Sequence, residues 1–196
     1  MPLDQAVIDY QAVGEKQDAD GVPRERVLVV AARKAMILSL TDAVRAAGLK
    51  PEGVDLNAFA LVRTLAGAEL DGEARVYCHL GGVANVAVGL GPVCLFTRPL
   101  TADWDGEYGG VETLAEELRM SIEYYRAQAA APTVGELVIS GPGARVDGLP
   151  ERVGELIGLA ATAAEPLGRM TSVPFPNGED PYRHTVSLGL ALGAAA

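Results

Sequence analysis

The chain has 196 residues, of which 49% are apolar and 21% charged, so it has the composition of a folded protein with one domain or two small ones. Its 26 acidic residues outnumber 16 basic ones, and the net charge of −10 argues against a nucleic-acid groove or a patch for anionic membranes. Lysines occur only at Lys16, Lys34 and Lys50, so none lies beyond position 50 to form a Schiff base or serve a P-loop. Cys78 and Cys94 are too few for a disulfide scaffold and lack the clustering of zinc ligands. We expect a cytoplasmic protein, because no apolar run approaches the ~20 residues of a membrane span and the N-terminus has no signal-peptide pattern.

Strand and helix patterns alternate in the first third of the chain. The spacing of apolar residues predicts strands at 6–13 and 26–32, a polar turn or loop at 15–23, and helices at 34–47 and 58–66. The apolar positions at helical spacing in the first helix are Met36, Leu40, Ala43, Val44 and Ala47. Val54 and Asp55 are predicted as a short strand, and Asn57 as the cap of the second helix. A polar break at 67–73 is the best candidate for a subdomain boundary.

Three short strands separated by glycine turns open the second part of the chain and predict an antiparallel meander. The predicted elements in chain order are strands at 75–80, 83–89 and 93–98, a polar loop at 101–110, a helix at 111–128, a strand at 136–140, a helix at 149–157, a strand at 159–164 and a helix at 182–194. The longest of these helices carries a stripe of core residues: Leu114, Leu118, Ile122 and Tyr125.

Two glycine-rich turns are candidates for a nucleotide site. The first glycine turn, Gly81 and Gly82, joins two strands, and such a turn can direct backbone N–H groups at a phosphate. The second glycine turn, residues 141–144, follows a strand and offers a flat surface for an adenine or ribose. Either turn alone is more often only a turn, but their order, about 60 residues apart with a long helix between them, is moderately specific.

The order of these elements is that of an RNase H-like half of the actin-like ATPase fold, and the motifs resemble those of the PilM family of type IV pilus assembly proteins, relatives of FtsA. The motifs besides the first glycine turn are VLVVAAR at 27–33, AGLKP at 47–51, VDLNAFA at 54–60, LFTRPL at 95–100, LAEEL at 114–118, SIEYYR at 121–126, SGPGA at 140–144 and SLGLAL at 187–192. The resemblance extends over essentially the whole chain.

This resemblance implies an α/β fold with a mixed sheet and three segments: a small inserted subdomain called 1C at 1–50, a remnant of the first lobe at 51–66, and the second lobe with a C-terminal helix at 67–196. The start of the first lobe, with its own phosphate-binding hairpin, is expected to be missing. The family binds ATP with Mg²⁺. Carried over to this chain, the nucleotide-binding residues are Gly81, Gly82, Val83, Asn85, Glu123, Arg126, Gly141, Gly143 and Ala144.

Three departures from the family pattern indicate weak or lost ATP binding and no efficient hydrolysis, so we do not predict an enzyme. His79 stands where the family usually has an acidic residue, and an imidazole is a poor ligand for Mg²⁺. Asn85 replaces a common hydroxyl residue but can still bond a phosphate. Pro142 replaces the middle glycine of the second glycine turn and removes one backbone donor.

Several of these residues also have ordinary structural explanations. A structural histidine at a strand end is the better interpretation of His79. Glu123 and Arg126 are as well explained by a solvated pair on a helix face. Of the two adjacent tyrosines, Tyr124 and Tyr125, one is expected in the core and one on the surface.

Three further side chains also have ordinary structural explanations. Cys78 and Cys94 are expected as buried thiols on two meander strands, with the third strand between them. Trp104 could anchor a partner, but a loop folded over the core is the more ordinary alternative.

The partner implied by the resemblance is the cytoplasmic N-terminal tail of a PilN-like protein with one membrane span, lying in the groove between the first lobe and the inserted subdomain, together with other components of the pilus platform. The protein itself would be peripheral to the inner membrane through that partner, without inserting into it. Two alternatives remain. One is an actin-fold kinase or phosphohydrolase acting on a small molecule, for which Asp55 could be a catalytic base; the other is a filament-forming FtsA-like protein.

Overall fold

The computed structural model describes residues 2–67, 72–103, 110–128, 131–164, 166 and 179–194. Contacts divide the chain after Asp55 into two compact units, which we call unit 1 and unit 2. The three predicted segments, 1–50, 51–66 and 67–196, stay a prediction. Trp104 lies outside the described residues, as does most of the predicted subdomain boundary at 67–73.

Unit 1 is a two-stranded antiparallel ribbon followed by a helix: β1 (Ala6–Gln17), β2 (Pro23–Arg33) and α1 (Lys34–Ala46). The predicted loop at 15–23 is wrong in its first part, because the ribbon continues to Gln17 across a register shift at Gly14, whose φ is 129°. Glycine tolerates that backbone conformation, so the ladder resumes beyond the shift.

No described residue of unit 1 is buried. Met36 and Leu40, which the helical spacing placed on one apolar stripe of α1, are 59% and 54% exposed. The periodicity therefore predicted the helix correctly but not a buried face, since the described part of unit 1 supplies too little surface to cover it.

The predicted strand at Val54 and Asp55 is wrong: the structure has no strand at these two residues. The helix that follows, α2 (Asn57–Leu65), begins at Asn57 itself, and Leu56 flanks it without a capping side chain. Asn57 is thus the first helical residue and not the cap.

Unit 2 is built on a five-stranded mixed sheet with the order β5-β4-β3-β6-β7. Its elements after α2 are β3 (Ala74–His79), β4 (Val83–Leu90), β5 (Val93–Asp103), α3 (Val111–Arg126), β6 (Val134–Ser140), α4 (Leu149–Ile157), β7 (Ala160–Ala163) and α5 (Thr185–Ala194), with short 3₁₀ turns at Pro142–Arg145 and Pro181–His184. Strands β3, β4 and β5 form the predicted antiparallel meander, whereas β3–β6 and β6–β7 are parallel pairs. Strand β5 is longer than predicted and occupies the start of the expected loop at 101–110.

Helices cover both faces of this sheet, and its central strands β4, β3 and β6 are largely buried, whereas the edge strand β7 has no buried residue. Helix α2 lies on the face of Tyr77, and Val62 of α2 packs beside Tyr77 at Gly89. Helix α4 lies on the opposite face, where Gly154 packs against Ala161 of β7. In this three-layer arrangement the central strands are covered by helices on both faces.

Several predictions about single side chains in unit 2 are confirmed. Cys78 and Cys94 are buried free thiols on β3 and β5, with β4 between them. Tyr125 is in the core, whereas Tyr124 is 66% exposed. Within the described residues, no helix has both the length and the apolar character needed to cross a bilayer.

Candidate functional site

The two glycine turns lie side by side at the carboxyl edge of the sheet. Strands β3 and β6 are parallel and end in register, His79 opposite Ser140, so the turns that follow them meet at the same edge. The Leu80 N–H donates to the Ser140 carbonyl at 2.8 Å, and the Gly143 N–H donates to the Leu80 carbonyl at 3.0 Å. The edge of a parallel pair where strands end is a common place for ligands in α/β folds.

Glycine is required at the second turn. Gly141 has φ +85°, and a Cβ added there would lie 2.5 Å from the Leu80 carbonyl oxygen, which is backbone and cannot swing away. In the first turn Gly82 has φ +67° with open space around it. The structure thus brings Gly81, Gly82, Gly141, Gly143 and Ala144 together, five of the nine residues named from the sequence.

His79 lies beneath the two turns and is only 7% exposed. Its Nδ1 is 3.0 Å from the Oγ of Ser140, a side chain that is completely buried. Burial lowers the pKa of His79 below its ordinary value, because desolvation disfavours the charged imidazolium. The ring is therefore neutral at pH 7, with one nitrogen that donates and one that accepts.

Val83 and Asn85 follow the first turn on β4. Asn85 donates from Nδ2 to the Val83 carbonyl at 2.8 Å, so its amide nitrogen is engaged within its own strand. The side chain of Val83 is largely exposed. Both residues lie close to the turn, but neither directs a charged group at it.

The structure does not bring Glu123 and Arg126 to the turns. Strands β5 and β3 are both antiparallel to β4, so β5 also ends at the carboxyl edge, and α3 returns from there. Glu117 in the middle of α3 accepts a hydrogen bond from the Thr101 N–H near the end of β5, at 2.8 Å. With a rise of ~1.5 Å per residue, Arg126 lies roughly 13 Å further along the helix, toward the opposite edge.

The predicted contact of Glu123 and Arg126 with an adenosine at these turns is therefore not supported by the geometry. Both side chains are exposed, as the alternative of a solvated helix face requires. The spacing of the motif could not reveal where Glu123 and Arg126 lie, because the same local sequence can occur at a helix end on either edge of the sheet.

The described side chains at the turns do not fit Mg²⁺. They are the imidazole of His79, the hydroxyl of Ser140 and the amide of Asn85, whereas Mg²⁺ prefers carboxylate and phosphate oxygens. Among the described residues, no group of three or more His, Cys, Asp and Glu side chains is placed to hold a metal ion.

Sequence reasoning missed two features. The sequence motifs include Ser140 only as the first residue of SGPGA, although a polar residue ending each of two parallel strands is a signal that the two side chains can meet. A cavity of about 420 Å³ lies at the opposite, amino edge of the sheet, lined by residues that include Glu73, Arg75 and Glu136. It is distant from the glycine turns, and no sequence motif indicated it.

Comparisons with known proteins found similarity to one family model and to solved structures. The family model described as "Type IV pilus assembly protein PilM" matches residues 1–76. A solved PilM–PilN type IV pilus biogenesis complex contains a chain with a TM-score of 0.79 and 21% identity; the match covers 99% of this chain and 68% of that chain. The ethanolamine utilization protein EutJ from Carboxydothermus hydrogenoformans has a TM-score of 0.51 and 15% identity, over 78% of this chain and 59% of its own. No curated protein matches in sequence. The predicted actin-like ATPase fold and the resemblance to PilM proteins are confirmed.

Proposed function

We propose that the chain is a PilM-like scaffold of a type IV pilus assembly platform, which binds the N-terminal tail of a PilN-like protein. The observation that carries the proposal is the pair of similarities just described: a PilM family match over residues 1–76 and a fold shared with a chain of a PilM–PilN complex. In this role the protein is cytoplasmic and is held at the inner membrane by its partner and by other components of the platform.

The surface of unit 1 supports a protein partner. Directly paired residues of β1 and β2 share one side of the ribbon, and three successive pairs on one side, beyond the pair Ala6 and Arg33, are apolar and exposed. We call this surface the apolar ribbon face; it consists of Ile8, Tyr10, Ala12, Val27, Val29 and Ala31. Two-stranded ribbons are marginally stable in water, and burial of apolar surface contributes about 25 cal/mol per Å². A partner that covers this face would stabilise unit 1.

The ribbon also offers backbone groups to a partner. Its sheet has two strands, so each of β1 and β2 has one edge without a neighbouring strand in the described sheet. An extended peptide can pair with such an edge through main-chain hydrogen bonds while its side chains contact the apolar face. A tail segment at the N-terminus of a partner protein has the free ends and flexibility that this mode requires.

Two tyrosines provide a matched test. Tyr10 on the apolar ribbon face is 68% exposed, and Tyr124 in unit 2 is 66% exposed. Fluorescence anisotropy with a labelled N-terminal peptide of the PilN-like protein should show binding to the wild type. Tyr10→Asp should weaken it roughly 30-fold, as expected for a central aromatic contact worth about 2 kcal/mol. Tyr124→Asp should leave it unchanged. Absence of wild-type binding, or equal loss in both variants, would contradict the proposal.

For the nucleotide we propose weak or absent binding and no efficient hydrolysis. ATP with Mg²⁺ is the ligand that the fold family implies, and the backbone of the two glycine turns is where its phosphates would lie. The poor fit of the described side chains at the turns to Mg²⁺ supports weak binding. Calorimetric titration of the protein with Mg-ATP should give no measurable heat at micromolar concentrations, and micromolar affinity would refute this part of the proposal.

A further inference from the structure

The imidazole of His79 lies against both glycine turns. Its Nε2 is 3.0 Å from the position of a Cβ on Gly81, and its Cε1 is 3.0 Å from that of a Cβ on Gly141. Its Nδ1 is 3.0 Å from the Oγ of Ser140. One buried ring therefore touches both turns and bonds to the strand that precedes the second one.

Backbone hydrogen bonds tie the same segments together. Leu80, between His79 and the first turn, donates to Ser140 and accepts from Gly143. Glycine-rich segments lose much conformational freedom when they are fixed, and a bound ligand is one way to offset that cost. Here protein groups make the contacts between the turns, and the described side chains beside them, His79, Ser140 and Asn85, do not suit Mg²⁺.

We propose that His79 and Ser140 are positioning residues that hold the two glycine turns in one fixed arrangement without a metal-bound nucleotide. The carboxyl edge of unit 2 then keeps a single shape in the free protein, because the imidazole contacts both turns and Ser140. This inference is independent of peptide binding by unit 1.

Hydrogen exchange measured by mass spectrometry tests the inference on the full chain. In His79→Ala, peptides covering residues 80–83 and 141–144 should exchange about tenfold faster than in the wild type, and Ser140→Ala should give a smaller increase in the same peptides. The matched control is Val76→Ala, because Val76 is also fully buried on β3 but does not contact the turns. That variant should raise exchange across unit 2 without singling out the turns. Uniform changes in all three variants would overturn the inference.

A conservative variant and a ligand complete the test. His79→Asn keeps an amide that can bond Ser140, so it should recover part of the protection lost in His79→Ala; this variant also provides a measurement if His79→Ala does not fold. Mg-ATP at millimolar concentration should not slow exchange in the wild-type turns. Further slowing of both turns by Mg-ATP would show that the ligand, and not the imidazole, fixes them, and the inference would fail. Peptide binding measured on the same variants should be unchanged.

Discussion

The contact between α2 and α5 gives the sharpest stability prediction. A Cβ added at Gly189 would lie 2.0 Å from the Ala60 carbonyl oxygen and 2.5 Å from its carbonyl carbon. These are backbone atoms inside a helix, so neither can rotate out of the way. The two helices must move apart by about 1 Å to admit one methyl group, because real Cβ contacts essentially never fall below 3.0 Å.

The cost of Gly189→Ala follows from what this movement disrupts. Overpacking of a well-packed contact costs about 1–3 kcal/mol. The movement also lengthens two hydrogen bonds between the helices, from Arg63 to the Gly189 carbonyl at 2.7 Å and from Thr64 to the Thr185 carbonyl at 2.8 Å. Each contributes about 1 kcal/mol. Alanine has a higher helix propensity than glycine, which raises the free energy of unfolding by up to about 1 kcal/mol. The net loss of unfolding free energy is therefore about 2–4 kcal/mol.

Urea denaturation followed by circular dichroism measures this loss, and thermal unfolding should show a Tm lower by about 5–10 °C. The matched control is Gly193→Ala in the same helix, where the atoms nearest the new Cβ belong to the guanidinium of Arg63, which can shift, and not to backbone. Its stability should stay within about 1 kcal/mol of the wild type, since helix propensity offsets the adjustment. If Gly189→Ala unfolds at the wild-type urea concentration, or if both variants lose equal stability, the packing argument is wrong.

Two further predictions concern buried titratable groups. Burial lowers the pKa of His79, so as the pH falls the imidazole becomes protonated in the unfolded chain before it does in the native one. The free energy of unfolding is therefore highest above pH 6.5 and decreases as the pH falls below that value. Urea midpoints at pH 7 and pH 5.5 should therefore differ less for His79→Asn than for the wild type, and an identical difference would contradict the assignment. Burial raises the pKa of Cys78 and of Cys94 to about 12, so iodoacetamide at pH 8 should alkylate both thiols in urea but at less than a tenth of that rate in the native protein; equal rates would show that a thiol is accessible.

Elements set by local signals were predictable from the sequence. The meander follows from short apolar runs separated by glycine turns, and α4 begins and ends at the predicted residues, Leu149 and Ile157. The actin-like fold came from the order of the elements. The extension of β1 past Gly14 and the missing strand at Val54 were not predictable, because strand pairing depends on which backbone lies alongside.

The candidate site was predicted in part for the same reason. The two glycine turns were found because each carries its own backbone signature, and the parallel pairing of β3 with β6 brings them together. Glu123 and Arg126 were assigned from a short motif, which carries no information on the end of the sheet that α3 approaches. The bond between His79 and Ser140 joins residues 61 positions apart, and the parallel register of β3 and β6 brings the two side chains together.

The absence of buried side chains among the described residues of unit 1 has a thermodynamic consequence. Without a core, the free energy that orders the ribbon must come largely from outside it, so its order becomes a function of the concentration of whatever covers it. A partner at 100 times its Kd adds about 2.7 kcal/mol to the folded state by mass action alone. Unit 2 has its own core and would hold its structure at any partner concentration. The folded fraction of unit 1 would then depend on whether the partner is bound, whereas the folded fraction of unit 2 would not change.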